Sequence, residues 1–327
     1  MDTNKIPVLI LNFNRPSLTK ALISALSKVQ PERIYFAVDG PRAQNETDLI
    51  LVAEVRNLVS LIDWDCEVHT LFRAENFGLK KSVIEALDWV FASEEQAIIL
   101  EDDCHPIPEF FEFCAETLAK YGSDDRVMQV SGSCFVPISS ANSTKYYFSA
   151  INDIWGWATW RRAWDRFERE VPEHDNPVLR EKLFEYFGNK RIVKWFTRYV
   201  EEAASLNSQV WSTQWTLALV NNLAYTIVPQ TNLVVNVGFI TDATHMTGDA
   251  FKLYTDFEPQ SIKSNVNPGD VVVSRTLDSE RFSLIEATDL NLRKKVLLIA
   301  SLKKIMLRLI PAMFVAKIRL IKSNKNV

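Results

Sequence analysis

Short apolar runs alternate with amphipathic stretches along the first hundred residues. The runs are four to six residues long and rich in β-branched and aromatic side chains, a pattern that predicts buried strands. The stretches between them repeat apolar residues at helical spacing, and Pro16 marks the start of the first helix. We predict strands at residues 7–11, 33–38, 67–72 and 97–100, and helices at residues 16–29, 46–62 and 79–91.

This order predicts an α/β fold with a mostly parallel, Rossmann-like sheet flanked by helices. Beyond residue 108 the pattern is less regular, and residues 241–290 have weak periodicity, which predicts a mobile or lid-like segment. We divide the chain into a first half (1–125), a second half of the same domain (126–290) and a tail (291–327). In the second half we predict helices at residues 108–121, 155–167, 178–205 and 210–222, and strands at residues 126–131, 224–228 and 233–237.

Charge is distributed unevenly along the 327 residues. The tail contains ten of the 37 Lys and Arg residues and no Asp or Glu, so the rest of the chain carries 27 basic and 41 acidic residues. A body this acidic is a poor partner for nucleic acid, whose binding requires neutralised phosphates. Hydrophobic residues make up 47% and charged residues 24%, which is typical of a globular protein and excludes global disorder.

The tail alternates apolar clusters with Lys and Arg, and Pro311 divides it into two predicted helices. A basic amphipathic helix is typical of a segment that lies on an anionic membrane surface, although it could also pack on the acidic body or form a dimer contact. The N-terminal residues do not resemble a signal peptide, and no apolar run reaches membrane-spanning length. The four cysteines form no CxxC motif. We therefore expect a cytoplasmic protein, peripheral on the cytoplasmic face of the membrane.

Polar residues follow each predicted strand of the first half, where ligands of parallel sheets bind. Asn12, Asp39 and Asn76 follow the first three strands, and the triplet Glu101-Asp102-Asp103 follows the fourth. Three adjacent carboxylates repel one another near a low-dielectric core, and a divalent cation such as Mg²⁺ or Mn²⁺ would offset that repulsion. The alternative is that Asp103 caps the next helix.

The ordered motifs of the first half resemble one known fold family. They are similar to the nucleotide-sugar half of GT-A-fold glycosyltransferases, both bacterial family-2-like enzymes and, more distantly, eukaryotic N-acetylglucosaminyltransferases that carry Glu-Asp-Asp. The resemblance covers about residues 5–250 and implies a GT-A fold with a nucleotide-sugar-binding first half and an acceptor-side second half. It is carried by VLILNFNRP (8–16), YFAVDGPR (35–42), NFGLK (76–80), IILEDD (98–103) and PEFF (108–111).

The resemblance also implies roles for single residues. Asp39 would contact the base, and Asp102 the ribose. Asp103 would bind the metal, and Glu101 would approach the donor sugar as a catalytic residue. The residues implied beside the nucleotide are Asn12, Arg15, Asn76 and Lys80, and His245 is implied as a ligand of the metal or diphosphate, with an ordinary surface histidine as the alternative.

Aromatic residues are concentrated at 155–164 (WGWATWRRAW). Trp157, Trp160 and Trp164 have helical spacing, which favours packing in the core. The alternative is that Trp155 or Trp157 forms a platform for a sugar ring, since an indole face suits the C–H face of a pyranose. A similar block recurs in the resembled bacterial proteins.

A transferase that acts on a hydroxyl needs a base, usually a carboxylate. The eukaryotic relatives carry Asp where this chain has residues 211–215 (WSTQW), which include no carboxylate. Asp153, Asp165 and Asp242 are the nearby candidates for that base, and we rank Asp153 first; a helix cap is its alternative role.

We therefore predict a metal-dependent glycosyltransferase that moves a hexosyl or N-acetylhexosaminyl group from a nucleotide-diphosphate donor, such as a UDP-sugar, to a glycan or lipid-linked acceptor, a reaction of polysaccharide biosynthesis. The first alternative is a sugar-phosphate nucleotidyltransferase. These enzymes normally need a glycine-rich phosphate loop after the first strand, and residues 12–15 (NFNR) contain no glycine. The second alternative is a carbohydrate-binding protein without catalytic activity.

Overall fold

The computed structural model describes residues 3–136, 144–173, 176–205, 208–238 and 258–287. The predicted tail (291–327), Asp242 and His245 therefore lie outside the described residues. Within the described ranges, no helix combines the length and apolarity that crossing a membrane requires.

The chain folds into an eight-stranded mixed sheet flanked by helices, with a separate pair of short strands. The predicted α/β class is therefore confirmed. The strands are β1 (Val8–Asn12), β2 (Arg33–Val38), β3 (Glu67–Phe72), β4 (Gln96–Glu101), β5 (Cys104–Pro106), β6 (Val127–Ser131), β7 (Tyr146–Ser149), β8 (Trp157–Trp160), β9 (Tyr225–Pro229) and β10 (Val234–Asn236). The helices are α1 (Pro16–Leu26), α2 (Glu46–Asn57), α3 (Leu79–Phe91), α4 (Pro108–Lys120), α5 (Arg161–Trp164), α6 (Pro177–Phe187), α7 (Lys190–Ala203) and α8 (Ser212–Asn221), and one further helix covers residues 275–287.

One half of the sheet is parallel, in the order β3-β2-β1-β4. β1 lies between β2 and β4 and is buried at all five positions. A strand that is covered on both faces is expected to be apolar throughout, as the sequence of β1 is from Val8 to Leu11. The pairing aligns the carboxyl ends of the strands: Asn12 pairs with Val38, and Leu11 pairs with Glu101. The polar residues that follow these strands therefore meet at one edge of the sheet.

The other half is mixed, because β8 lies antiparallel between β4 and β6. This arrangement corrects the helix predicted over residues 155–167. Trp157–Trp160 form a strand with four buried positions, and only Arg161–Trp164 form a short helix. Trp157 and Trp160 pack in the core from a strand, not from the helix face that their spacing suggested.

Two further differences concern helices. The single helix predicted over residues 178–205 is two helices, because Gly188 ends α6 in the left-handed conformation with φ of 62°. The segment 241–290, predicted to be mobile or lid-like, contains the helix 275–287, whose Phe282 is 1% exposed. That helix is fixed by Asp278, which accepts hydrogen bonds from the Ser149 hydroxyl and the Ala150 amide.

Candidate functional site

A pocket of about 490 Å³ opens at the carboxyl edge of the parallel strands. One part of its wall is apolar, and the other part carries carboxylate, amide and guanidinium groups. Six of the predicted site residues, which come from the ends of all four parallel strands, meet there. The lining residues are Leu11, Asn12, Phe13, Arg15, Ala37, Asp39, Arg42, Asn76, Gly78, Leu79, Ser82, Val83, Glu101, Asp102 and Gln209.

Asp39 fixes the loop that follows β3. Its Oδ1 accepts hydrogen bonds from the Gly40 amide at 2.9 Å and the Phe77 amide at 3.0 Å, and its Oδ2 accepts from the Gly78 amide at 3.2 Å and Asn76 Nδ2 at 3.0 Å. Burial raises the pKa of Asp39, while the amide donors lower it. The immediate role of this carboxylate is therefore to hold residues 76–78 against the pocket.

Asn12 is also fixed by the protein itself. Its Nδ2 donates to the Ala37 carbonyl at 3.0 Å, and its Oδ1 accepts from the Thr19 hydroxyl at 3.1 Å. These bonds join the end of β1 to β2 and α1. Asn12 therefore shapes the floor of the pocket.

Arg15, in the loop between β1 and α1, pairs with two carboxylates of the acidic triplet. Its Nε donates to Asp102 Oδ2 at 3.1 Å, its Nη2 donates to Asp102 Oδ1, and its Nη1 donates to Asp103 Oδ2 at 3.0 Å. This is the side-on, bidentate geometry that a planar guanidinium favours. About a third of the Arg15 side chain remains exposed to the pocket.

The electrostatics of the triplet follow from this contact and from burial. Burial lowers the pKa of Arg15, but Asp102 and Asp103 outweigh that effect and raise it above its usual value. Burial raises the pKa of Asp102 to about 7 against the lowering influence of Arg15. Burial, with the added repulsion of Asp103 and Asp102, raises the pKa of Glu101 to about 8. One guanidinium therefore serves a buried acidic cluster.

The described side chains around the acidic triplet do not form a ligand set for the predicted divalent cation. In the described ranges, no three His, Cys, Asp or Glu side chains converge in a group that could hold a metal ion. Asp102 and Asp103 already accept hydrogen bonds from Arg15, and Asp103 also accepts one from Asn236. The predicted ligand His245 lies outside the described residues. The protein side chains that the structure describes thus do not form a metal centre, and Mg²⁺ or Mn²⁺ stays a prediction.

Arg42 is another cationic residue that lines the pocket. Its Nε and Nη2 donate to the buried carboxylate of Asp48 at 2.5 and 2.9 Å, and its guanidinium lies 5.5 Å from the centre of the Phe13 ring. Hydrogen bonding to Arg42 lowers the pKa of Asp48 to about 2. Phe13 thus presents an aromatic surface to the pocket beside a fixed cation.

Five of the predicted site residues that the structure describes do not line the pocket. Asp103 is one of them, although it binds Arg15, which does line it. Lys80 is on α3 and lines a neighbouring groove instead of the pocket. Asp153 accepts a hydrogen bond from Arg281 of the helix 275–287 at 2.7 Å and does not line the pocket. Trp157 is 1% exposed and packs on Trp211 and Trp215, so it cannot present a face to a sugar ring, which corrects that prediction.

Trp155 is half-buried and makes an edge contact with Phe135, with 5.6 Å between the ring centres. It does not line the pocket either. Three tryptophans of the aromatic block, Trp157, Trp160 and Trp164, are therefore packed in the hydrophobic core.

Gln209 is a pocket residue that the sequence analysis missed. It comes from the segment before α8, more than a hundred residues after the strands that form the pocket. A Cβ atom on Gly78 would lie 2.6 Å from Gln209 Oε1, so the two segments are in close contact. No local pattern in the sequence signals this contact, because it depends on how the second half folds over the first.

Comparisons with known proteins add only distant likenesses. No family model matches the chain, and no significant match was found among curated proteins. A UDP-glucose pyrophosphorylase complexed with UDP-glucose is 10% identical, over 71% of this chain and 94% of its own, with a TM-score of 0.38. A putative glucose-1-phosphate thymidylyltransferase from Bacillus anthracis is 9% identical, over 81% and 98%, with a TM-score of 0.38. A cytidylyltransferase from Leptospira borgpetersenii is 10% identical, over 57% and 73%, with a TM-score of 0.33.

The predicted glycosyltransferase receives no support from these comparisons. The neighbours are named as nucleotidyltransferases, which agrees better with the first alternative than with the main prediction. Likeness at TM-scores of 0.33 to 0.38 carries no activity over to this chain.

Proposed function

We propose that the pocket binds a nucleotide and that the protein transfers a nucleotidyl group to a sugar phosphate. The observation that supports this proposal is the pocket itself, which combines an apolar wall at Phe13 with a polar wall at Asp102 and Arg15. Its volume of about 490 Å³ falls in the usual range for small-molecule and cofactor sites.

The two walls match the two parts of a nucleotide. A base has a flat π face that packs well on an aromatic side chain such as Phe13. Ribose hydroxyls donate hydrogen bonds to carboxylates, and Asp102 is one of three carboxylates that line the pocket, with Asp39 and Glu101. The exposed edge of Arg15 keeps N–H donors for a phosphate oxygen, since three of its five donors are engaged by Asp102 and Asp103.

The proposed reaction joins a sugar phosphate to the α-phosphate of a nucleoside triphosphate. A phosphate oxygen of the sugar phosphate attacks the α-phosphorus, the bond from that phosphorus to the bridging oxygen breaks, and pyrophosphate leaves. Enzymes accelerate phosphoryl chemistry mainly by positioning the reactants and stabilising charge. In this chain Asp39 fixes the loop 76–78 beside the pocket and Arg15 supplies positive charge at its polar wall.

The experiment is a nucleotide screen on the full chain. The four ribonucleoside triphosphates and dTTP are tested with Mg²⁺ and glucose 1-phosphate, following nucleotide-sugar by chromatography and pyrophosphate by a coupled assay. Binding is measured separately by thermal shift, because a ligand that binds the folded state raises the apparent stability.

A variant that fills the pocket connects the result to the site. Ser82→Trp places an indole in the pocket wall without removing a charged group, and it is expected to abolish nucleotide binding. Ser24→Trp, on an exposed position of α1, is the matched control and should bind as the wild type does. Nucleotide binding that survives Ser82→Trp unchanged would place the site elsewhere, and binding without any nucleotide-sugar product would refute the proposed reaction.

A further inference from the structure

A second groove adjoins the nucleotide pocket. Its volume is about 470 Å³, and it is formed by the loop after β3, one face of α3, and the segments around residues 169 and 208. Gln209 lines both cavities, so the groove begins where the pocket ends. The lining residues are Phe77, Lys80, Lys81, Ile84, Glu85, Asp88, Arg169, Ser208 and Gln209.

Both carboxylates of this groove are already paired with arginines. Glu85 accepts from Arg73 Nη1 at 2.7 Å. Asp88 accepts two hydrogen bonds from Arg169, at 2.7 and 3.1 Å, and a third from the Trp164 indole at 2.8 Å. The negative charge of the groove is thus compensated before its two lysines are considered.

The lysines leave an excess of positive charge. Lys81 Nζ lies 3.7 Å from Glu85, which Arg73 already neutralises, and 3.8 Å from the centre of the Phe77 ring. Lys80 makes no hydrogen bond or ion pair with any residue that the structure describes. This local excess stands out because the chain before the tail has 27 basic and 41 acidic residues. A cavity of this kind attracts an anion.

We infer that the groove binds the phosphate group of the second substrate, the sugar phosphate, through Lys80 and Lys81. This inference rests on the proposed function, since it assigns the nucleoside to the first pocket. The two cavities differ in charge: the pocket contains the carboxylates Asp39, Glu101 and Asp102 beside an apolar wall, whereas in the groove the cationic side chains outnumber the carboxylates. Gln209, which packs against Gly78, lies at the boundary between the pocket and the groove.

A phosphate in the groove could also belong to the nucleotide. The phosphates of both molecules share the same chemistry, and binding measurements with a nucleoside diphosphate and with a sugar phosphate distinguish them. We assign the groove to the sugar phosphate because Arg15, on the pocket side, already offers donors to the nucleotide.

The test measures binding by calorimetry to the wild type and to the double variant Lys80→Gln, Lys81→Gln. The probes are inorganic phosphate, glucose 1-phosphate, UDP and uridine. The double variant should bind inorganic phosphate and glucose 1-phosphate at least tenfold more weakly, with the affinity for UDP changed less than twofold. Lys28→Gln, at an exposed position just after α1, is the control and should change none of these affinities.

Each other outcome has a defined meaning. Equal binding of inorganic phosphate by the wild type and the double variant, or no binding by either, overturns the inference. If UDP weakens as much as glucose 1-phosphate while uridine does not, the groove takes the nucleotide's phosphates and the assignment to the second substrate is wrong. If no nucleotide binds but the lysines still control phosphate binding, the anion groove stands and the proposed function fails.

Discussion

Arg15 binds Asp102 side-on: its Nε and Nη2 donate to the two oxygens of that carboxylate. Its third nitrogen, Nη1, donates to Asp103. The contact joins the loop after β1 to the end of β4, and those strands are neighbours in the sheet. It thereby ties together two sides of the pocket and offsets the repulsion within the acidic triplet.

Arg15→Gln is expected to destabilise the protein because it leaves two buried carboxylates without their cation. Breaking a buried pair by removing one partner costs about 3–5 kcal/mol, and the partial exposure of Arg15 places the expected loss at ~2–3 kcal/mol. Urea unfolding at pH 7.5 measures it. Arg15→Lys keeps the charge but not the bidentate geometry, and an intermediate loss is expected.

The control for Arg15 is Arg126→Gln, which removes an exposed guanidinium from its pair with Asp124. Exposed pairs of this kind contribute little, so no measurable change is expected. If Arg15→Gln were as stable as Arg126→Gln, the acidic triplet would not depend on the guanidinium.

Gly40→Ala tests the close approach of two loops beneath the pocket. A Cβ at this position would lie 2.3 Å from the backbone carbonyl carbon and oxygen of Glu75, so the backbone itself must move. Overpacking of this kind costs about 1–3 kcal/mol. Thermal unfolding should show the loss, and nucleotide affinity should fall because the hydrogen bonds of Asp39 to residues 76–78 are disturbed.

Gly269→Ala is the matched control, since a Cβ there meets nothing within 4 Å. It should leave both stability and binding unchanged. If Gly40→Ala and Gly269→Ala had the same stability and nucleotide affinity, the loops around Gly40 and Glu75 could move apart without cost.

Asp39→Asn replaces two acceptor oxygens with one oxygen and an amide. The new NH₂ group faces amide donors, so at least one of the Phe77 and Gly78 N–H groups loses its partner. Leaving a buried donor unsatisfied costs ~1–3 kcal/mol. Faster hydrogen exchange at those two amides checks the mechanism, and the exposed Asp63→Asn serves as control. Unchanged exchange would mean that other contacts hold the loop.

Asp278→Asn is expected to change the pH dependence of stability. Burial raises the pKa of Asp278 to about 6 in the folded protein, against an unfolded value of 3.8. The folded state therefore binds the proton more tightly, so this group's contribution is fully present below pH 4 and is lost as the pH rises through 6. An amide mimics the protonated form, because its oxygen can accept from the Ala150 amide while its NH₂ donates to the Ser149 hydroxyl.

Urea unfolding at pH 4.5 and pH 7.5 checks this prediction. Asp278→Asn should gain stability relative to the wild type on going to pH 7.5, by up to ~2 kcal/mol at about 1.4 kcal/mol for each pKa unit. The exposed Asp270→Asn should run parallel to the wild type. A parallel profile for Asp278→Asn would show that the carboxylate is ionised at no cost.

The parallel half of the fold could be predicted because its strands are buried on both faces and appear as continuous apolar runs, as in β1. β8 could not, since Trp157 and Trp160 fit a helical spacing and only the antiparallel pairing with β4 makes them a strand. The helix 275–287 was missed because Asp278 and Arg281 are buried polar residues that interrupt its apolar pattern.

The candidate site could likewise be predicted only in part from the sequence. The residues after the strands could be placed at one edge because strand direction alone determines where they meet. Their pairings could not be predicted: that Arg15 binds the acidic triplet, or that Gln209 closes the pocket, depends on side-chain contacts between segments far apart in the sequence.

The anchoring of the helix 275–287 determines where the chain can be shortened. Phe282 fills the interior, and Asp278 and Arg281 hold the stretch from Ser149 to Asp153. Truncation before residue 275 would remove Phe282 and leave a cavity in the core. It would also leave Ser149 without Asp278 and Asp153 without Arg281. A cut after residue 287 would keep all of these contacts, so a shortened protein made to test what the basic tail contributes should end there and be compared with the full chain.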